Sequence, residues 1–188
     1  MLRFPETSIG IYPGLGGTQR SARVCGVEAA RYAVLAGNFL DPESAKALGF
    51  VTHLVDVSEI PETIGALSSE GKPEHKYPAE PRDPDHPVAA MSRDFYSDSN
   101  MEDLLEGRAP EGFDPEDKNV SRQLKALSRA APVSIRLASR LLDSTRTTDL
   151  ASGLELELGA LDEIFSTSDA LEGLSALIEG RRPEYTGS

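Results

Sequence analysis

Three glycines within four residues, Gly14-Leu15-Gly16-Gly17, follow Pro13 and precede Thr18. No regular helix or strand runs comfortably through such a cluster, because glycine costs backbone entropy and proline removes a donor. The segment is therefore a turn, and Thr18 can cap a helix that leaves it. Upstream, one carboxylate, Glu6, heads the apolar, β-branched run Thr7-Ser8-Ile9-Gly10-Ile11. Glycine lets backbone N–H groups approach a ligand, and a helix N-terminus favours negative charge, so carboxylate and donors could face one reacting group. Each part has an ordinary reading as well: a Gly-x-Gly-Gly turn also serves as a tight strand-to-helix connection, and a lone glutamate is normally solvated.

The whole string, Phe4-Pro5-Glu6-Thr7-Ser8-Ile9-Gly10-Ile11-Tyr12-Pro13-Gly14-Leu15-Gly16-Gly17-Thr18-Gln19-Arg20, resembles the enoyl-CoA hydratase/isomerase (crotonase) superfamily. Its Phe4-Pro5-Glu6 is one residue shorter than the family's Phe-x-x-Glu, and the Glu6 to Gly14 spacing is kept. The resemblance continues through Gly26 to Gly37 and Asp41 to Val51, and returns near the end in Asp169-Ala170-Leu171-Glu172-Gly173 and Arg181-Arg182-Pro183. It covers residues 4–56 and 130–187. It implies an α-rich α/β fold: the C-terminal part of a ββα spiral with few short strands, followed by a helical oligomerisation region. Family members place strands and both backbone oxyanion donors ahead of this motif, so the resemblance also implies that Met1 opens in mid-domain and that the missing N-terminal part of the domain is a partner.

Bulk properties narrow the class. The chain carries 31 acidic against 19 basic side chains, a formal charge of -12, which argues against nucleic acid, whose phosphates need a basic face. Aromatic content of 6% without tryptophan offers no base-stacking platform. One cysteine, Cys25, excludes an internal disulfide, fits a reducing compartment and sits within a predicted helix as a buried thiol. No apolar run reaches the ~18 residues of a membrane span, and no signal-like stretch opens the chain, so a cytoplasmic location is expected.

Along the chain three stretches are expected: 1–56 as part of the catalytic core, 57–113 as an irregular, proline-bearing and charged connection with short helices, and 114–188 as a helical C-terminal region. Helical spacing follows Thr18 and again Gly26, up to Gly37. Asp41, Pro42 and Gly49 are the preferred types for the N-cap, first residue and C-cap of a short helix. Phe50 to Val55 alternates as a short strand would. His53 reads as a surface or packing residue, and His75 and His86 as solvated, since two histidines without converging ligands hold no metal. Pro87 to Asp98 and Ser99 to Gly107 predict two helices, with Met91, Phe95, Met101, Leu104 and Leu105 as a packing stripe. Asp114-Pro115 can start a helix that Ala131-Pro132 interrupts. Asp149 can cap the next, running to Phe165, and Thr167 or Ser168 the last, with Leu171, Leu174, Leu177 and Ile178 as its apolar stripe.

What the resemblance implies for chemistry is specific. The substrate is an acyl-CoA thioester, with no cofactor beyond coenzyme A as part of it and no metal. Glu6 moves a proton at the α-carbon, and the Gly14 backbone helps hold water or substrate. Pro13, Gly16 and Gly17 shape the approach. Arg181 and Arg182 stand near the CoA phosphates, or alternatively complement a helix C-terminus. Tyr185 packs over a neighbouring subunit or the CoA entrance. The leading expectation is an enoyl-CoA hydratase portion acting in fatty-acid β-oxidation and assembling as a trimer-type oligomer through its C-terminal helices. A hydratase uses a second glutamate, which like both oxyanion donors would lie upstream, so the 188 residues alone are expected to show little or no hydratase activity. The alternatives are a double-bond isomerase, which needs one carboxylate, and a non-catalytic helical assembly module. An NAD-dependent 3-hydroxyacyl-CoA dehydrogenase could precede the chain; Gly14 to Gly17 lacks the G-x-G-x-x-G spacing for NAD itself.

Overall fold

Capping chemistry sets most of the element boundaries in the computed structural model, which describes residues 1–71 and 80–188. A 3-10 turn, Glu6–Ile9, is followed by helices α1 (Gly17–Cys25), α2 (Val27–Val34) and α3 (Pro42–Leu48). A second 3-10 turn, Val57–Glu59, leads into α4 (Ile60–Glu70); then come α5 (Pro87–Phe95), the 3-10 turn Asp98–Asn100, α6 (Met101–Leu105) and α7 (Lys118–Leu127). Four helices close the chain: α8 (Pro132–Ser144), α9 (Leu150–Gly159), α10 (Leu161–Phe165) and α11 (Ser168–Glu179). Asp41 accepts from the Ser44 amide and Gly49 closes α3 in the left-handed conformation. Asp149 caps α9 and Thr167, of the two candidates, caps α11.

Alanine is the reason α2 can sit in the middle. Ala29, Ala30 and Ala33 are almost wholly buried, and small side chains on a helix surface allow close approach of neighbours on several sides. Helices α1, α5 and α8 pack against it. One continuous apolar cluster runs from Tyr12 through Leu48, Phe95, Tyr96 and Leu142 to Ile164, so residues from all three stretches of the chain share it. The buried Arg31 on α2 reaches Asp98 at 2.8 Å, Asp143 at 2.6 Å and the Tyr96 carbonyl at 2.9 Å. Cys25 is fully buried, and burial pushes its thiol pKa up, which makes it an inert core group.

Several expectations are corrected. The run after Glu6 is a 3-10 turn, because Gly10 at φ 83 folds the chain back at once. Phe50 to Val55 forms no strand; the Val51 amide instead bonds back to the Ala45 carbonyl at 3.3 Å, and Val55 is exposed. Alternation alone cannot make a strand without a ladder partner. Among the described residues the extended pairing is a single antiparallel bridge, Leu2 with Leu40. The stretch 57–113 holds α4 and contributes the buried Val88, Phe95 and Tyr96 to the core. Asp114 makes a turn with the amides of Glu116 and Asp117, and Asp117 rather than Asp114-Pro115 starts α7. The expected helix from Asp149 to Phe165 is divided at Ala160, a turn residue with φ -85 and ψ -1 between α9 and α10. His53 is exposed, whereas His86 is half-buried and its Nδ1 caps α5 by accepting from the Val88 amide. His75 lies outside the described residues.

Candidate active site

The turn that carries Glu6 is fixed from several sides. Thr7 is buried and its hydroxyl donates to the carbonyls of Val34 and Leu35 at the end of α2, at 3.3 and 3.2 Å. Its own carbonyl accepts from the Ala131 amide at the start of α8, at 2.9 Å. The Tyr185 hydroxyl donates to the Ser8 carbonyl at 2.7 Å. Gly10 lies so close to α11 that a Cβ there would stand 2.3 Å from the Asp169 carbonyl oxygen, and a Cβ on Gly173 would stand 2.3 Å from the Ile9 carbonyl. The Glu6 carboxylate at the head of this turn is half-buried, and its Oε2 is buried without a hydrogen-bond partner. Burial raises its pKa, opposed by its own backbone amide and by the charge of Arg3. A carboxyl whose pKa rises toward neutrality is suited to giving and taking protons.

The glycine turn answers differently from expectation. The Gly16 amide donates to Glu157 Oε1 at 2.5 Å, and the Thr18 amide and hydroxyl donate to Glu157 Oε2 at 3.1 and 2.5 Å. Gly17 donates to the Gly14 carbonyl at 2.9 Å. Those donors, read from sequence as open to a ligand, are consumed inside the protein. Gly14 and Leu15 keep amides with no hydrogen bond among the described residues, and Gly14 has open space where a Cβ would be. Leu15 has φ 55 and is fully exposed, its carbonyl held by Arg20 Nη1 at 2.6 Å. Gly16 at φ 84 reverses the chain into α1, a conformation that glycine adopts freely.

Gly14, Gly16 and Gly17 border one cleft of about 260 Å³, walled by Phe4, Leu15, Val24 and Phe50. Pro13 is buried behind it, and Glu6 is not part of its lining. The two arginines lie elsewhere. Arg181 is bound to Glu172 at 2.5 and 2.7 Å and to Glu179 at 2.6 Å, and this pairing holds the Glu172 pKa down at about 2. Arg182 is exposed, and its guanidinium has no partner among the described residues. Tyr185 turns inward onto Ser8 of its own chain. Among the described residues no group of three or more His, Cys, Asp or Glu side chains is placed to hold a metal.

Sequence reasoning missed two residues at this site. Glu157 is only 4% exposed, yet in Leu154-Glu155-Leu156-Glu157-Leu158 nothing distinguishes it from Glu155. Tyr12 is buried, donates to the Glu157 carbonyl at 2.5 Å, and has its pKa pushed up to about 12 by burial and by the charges of Glu157 and Glu163.

Comparison with known proteins places the geometry in context. A sequence model described as enoyl-CoA hydratase/isomerase matches residues 1–187. The chain is 24% identical over 184 residues to a probable mitochondrial enoyl-CoA hydratase 2 of Arabidopsis thaliana, covering 98% of this chain and 42% of that protein. It is 26% identical over 182 residues to a mitochondrial methylglutaconyl-CoA hydratase of Mus musculus, covering 97% and 41%. Among solved structures, an enoyl-CoA hydratase from Rhodobacter sphaeroides superposes with a TM-score of 0.68 at 25% identity, covering 98% of this chain and 54% of that one. A carnitinyl-CoA dehydratase from Mycobacterium thermoresistibile gives the same TM-score at 18% identity, covering 96% and 52%, a likeness of fold. The chain thus spans about half the length of these relatives.

Proposed function

From the premise that this chain belongs to the enoyl-CoA hydratase/isomerase family, we propose that it supplies the proton-moving carboxylate and a substrate-facing amide to a site acting on acyl-CoA thioesters. Glu6 is the acid/base group at the thioester α-carbon, and Gly14 is the amide. The observation that carries this reading is the unpartnered, buried Oε2 of Glu6 on a turn locked by α2, α8 and α11. In hydration, water gives its hydroxyl to the β-carbon and its remaining proton to a base, which a hydratase supplies as a second glutamate, while Glu6 in its acid form gives a proton to the α-carbon; backbone donors hold the negative oxygen that forms between the two events. The substrate brings its own coenzyme A, and no other cofactor enters. We place the reaction in fatty-acid β-oxidation in a cytoplasmic setting.

The isomerase reading has one observation in its favour. The carboxylate that touches the glycine turn, Glu157, is spent on the backbone and the Thr18 hydroxyl, which leaves Glu6, among the described residues, as the acid with a buried oxygen that has no partner. A double-bond shift needs only one proton carrier.

The test uses a reaction that also needs only one. Glu6 takes a proton from the α-carbon of butyryl-CoA, exchanges it with solvent and returns a deuteron from D2O. Mass spectrometry of butyryl-CoA incubated with the chain in D2O is expected to show deuterium uptake that Glu6→Gln removes, and the Gly14 amide is expected to shift on addition of crotonyl-CoA in an NMR titration. Equal uptake with and without Glu6, together with an unmoved Gly14 amide, would overturn the proposal. Hydration of crotonyl-CoA by the chain alone is expected to be far slower than this exchange.

Two further expectations concern binding and assembly. Arg182 is the free cation of the closing pair, so Arg182→Ala is expected to weaken crotonyl-CoA binding by roughly threefold to tenfold, an effect that shrinks as salt rises; calorimetry at two ionic strengths measures it. Leu171, Leu177 and Ile178 are 72%, 60% and 87% exposed on α11, an apolar face suited to self-association into a trimer-type oligomer. Ile178→Glu is expected to lower the sedimentation mass, and an unchanged mass excludes this face.

A further inference from the structure

Glu157 belongs to α9, more than 130 residues beyond the glycine turn, yet it grips that turn on both sides of Gly14. Its carbonyl takes the Tyr12 hydroxyl two residues before Gly14. Its carboxylate takes the Gly16 amide, the Thr18 amide and the Thr18 hydroxyl after it. The approach is built in. Gly153, one helical turn before Glu157, faces Gln19 of α1 so closely that a Cβ would stand 2.0 Å from Gln19 Oε1, and residues four apart share a helix face. Gln19, itself fully buried, donates to the Leu141 carbonyl at 2.8 Å and ties α1 to α8 behind the same contact.

A carboxylate this buried is costly unless its oxygens are satisfied. Here they are, by three charge-assisted hydrogen bonds at the N-terminus of α1, where the helix has no side-chain cap of its own because Gly16 occupies the N-cap. The anion that a glycine turn and helix N-terminus would draw from a ligand is thus supplied by the protein. What remains for a ligand is the Gly14 side of the turn.

We infer that Glu157 is a positioning residue: it fixes the glycine turn from both flanks so that the Gly14 amide is presented to the substrate while the Gly16 and Thr18 amides are withheld. This rests on the proposed role of Gly14 and Glu6. Glutamine at 157 preserves the shape but not the function, because its NH2 group would face N–H and O–H donors that the second carboxylate oxygen now accepts.

The experiment compares the wild-type chain with Glu157→Gln and Tyr12→Phe. For butyryl-CoA, deuterium uptake gives the rate and calorimetry gives the dissociation constant; amide hydrogen exchange is read at Gly14, Gly16 and Thr18. In Glu157→Gln the uptake rate is expected to fall by about 10²-fold, the scale that follows from misplacing a reacting geometry by about 1 Å, with the dissociation constant changed less than about threefold. Gly16 and Thr18 are expected to exchange at least about tenfold faster, while Leu104 and Leu142, remote in the core, keep their protection. Tyr12→Phe, which releases one flank, is expected to fall between. A loss shared equally by rate and affinity, with protection lost throughout, would show a merely structural role and overturn the inference. A wild-type chain with no Glu6-dependent uptake would remove the proposed function instead; the grip is then judged by exchange alone, and unchanged Gly16 and Thr18 protection in Glu157→Gln sinks it.

Discussion

Replacing Glu6 with glutamine is expected to lower α-proton exchange by about 10²- to 10⁴-fold, the usual contribution of a positioned acid/base group, and at the same time to raise the melting temperature at neutral pH. The second half follows from burial. Because Oε2 is buried and unpaired, the folded state holds the Glu6 proton more tightly than the unfolded chain does, and the pKa is raised. Between the ordinary carboxylate range and that raised value the folded state binds more protons. Stability contributed by this group is therefore complete below the unfolded pKa and is lost as pH climbs through the folded one. Glutamine carries no charge to desolvate. Thermal melts of both proteins at pH 4 and pH 7 check the sign: the gap in favour of Glu6→Gln should open as pH rises. A variant that is inactive and also less stable at pH 7 would make Glu6 a structural acid. Loss of activity with gain of stability is the mark of a residue kept for chemistry.

Gly10→Ala is expected to be the most damaging small change in the molecule. Its φ of 83 disfavours an L side chain, and the added Cβ would meet the Asp169 carbonyl oxygen at 2.3 Å and the Ala170 Cα at 2.8 Å. Both obstacles are backbone, so no side chain can swing away. The left-handed penalty and overpacking together put the loss at about 2–5 kcal/mol, read as a drop in urea midpoint with unchanged slope. Gly65→Ala is the control: it lies within α4 with nothing within 4 Å, so helix propensity should make it stabilising by about 0.5–1 kcal/mol. Equal responses at the two positions would mean that Gly10 does not meet α11 as described.

The features legible in the sequence were those set by local chemistry. Asp41, Pro42 and Gly49 fix both ends of α3 without reference to the rest of the molecule, and the register from Glu6 to Thr18 carries the family. The stripe of Met91, Phe95, Met101, Leu104 and Leu105 packs as its spacing suggests, with Phe95 and Leu104 in the core. What stayed hidden depends on distant partners. Phe50 to Val55 alternates like a strand but has no neighbour to pair with. The charge on Glu157 looks like solvent-facing decoration until α9 is laid on α1. Arg181 and Arg182 are adjacent and alike in sequence, and only the fold gives Glu172 and Glu179 to the first and leaves the second free. The helix α4 was lost in a stretch dominated by prolines and charges on either side of it.

The last seven residues also matter for how this protein should be handled. The buried Asp169 carboxylate accepts from the amides of Thr186 and Gly187 at 2.8 and 3.0 Å, and Tyr185 reaches Ser8, two residues from Glu6. An affinity handle or fluorophore fused behind Ser188 therefore pulls on a cord whose other end is tied beside the carboxylate proposed to move the proton. Gly65 on α4, where an added Cβ meets nothing within 4 Å, offers a quieter place to attach one.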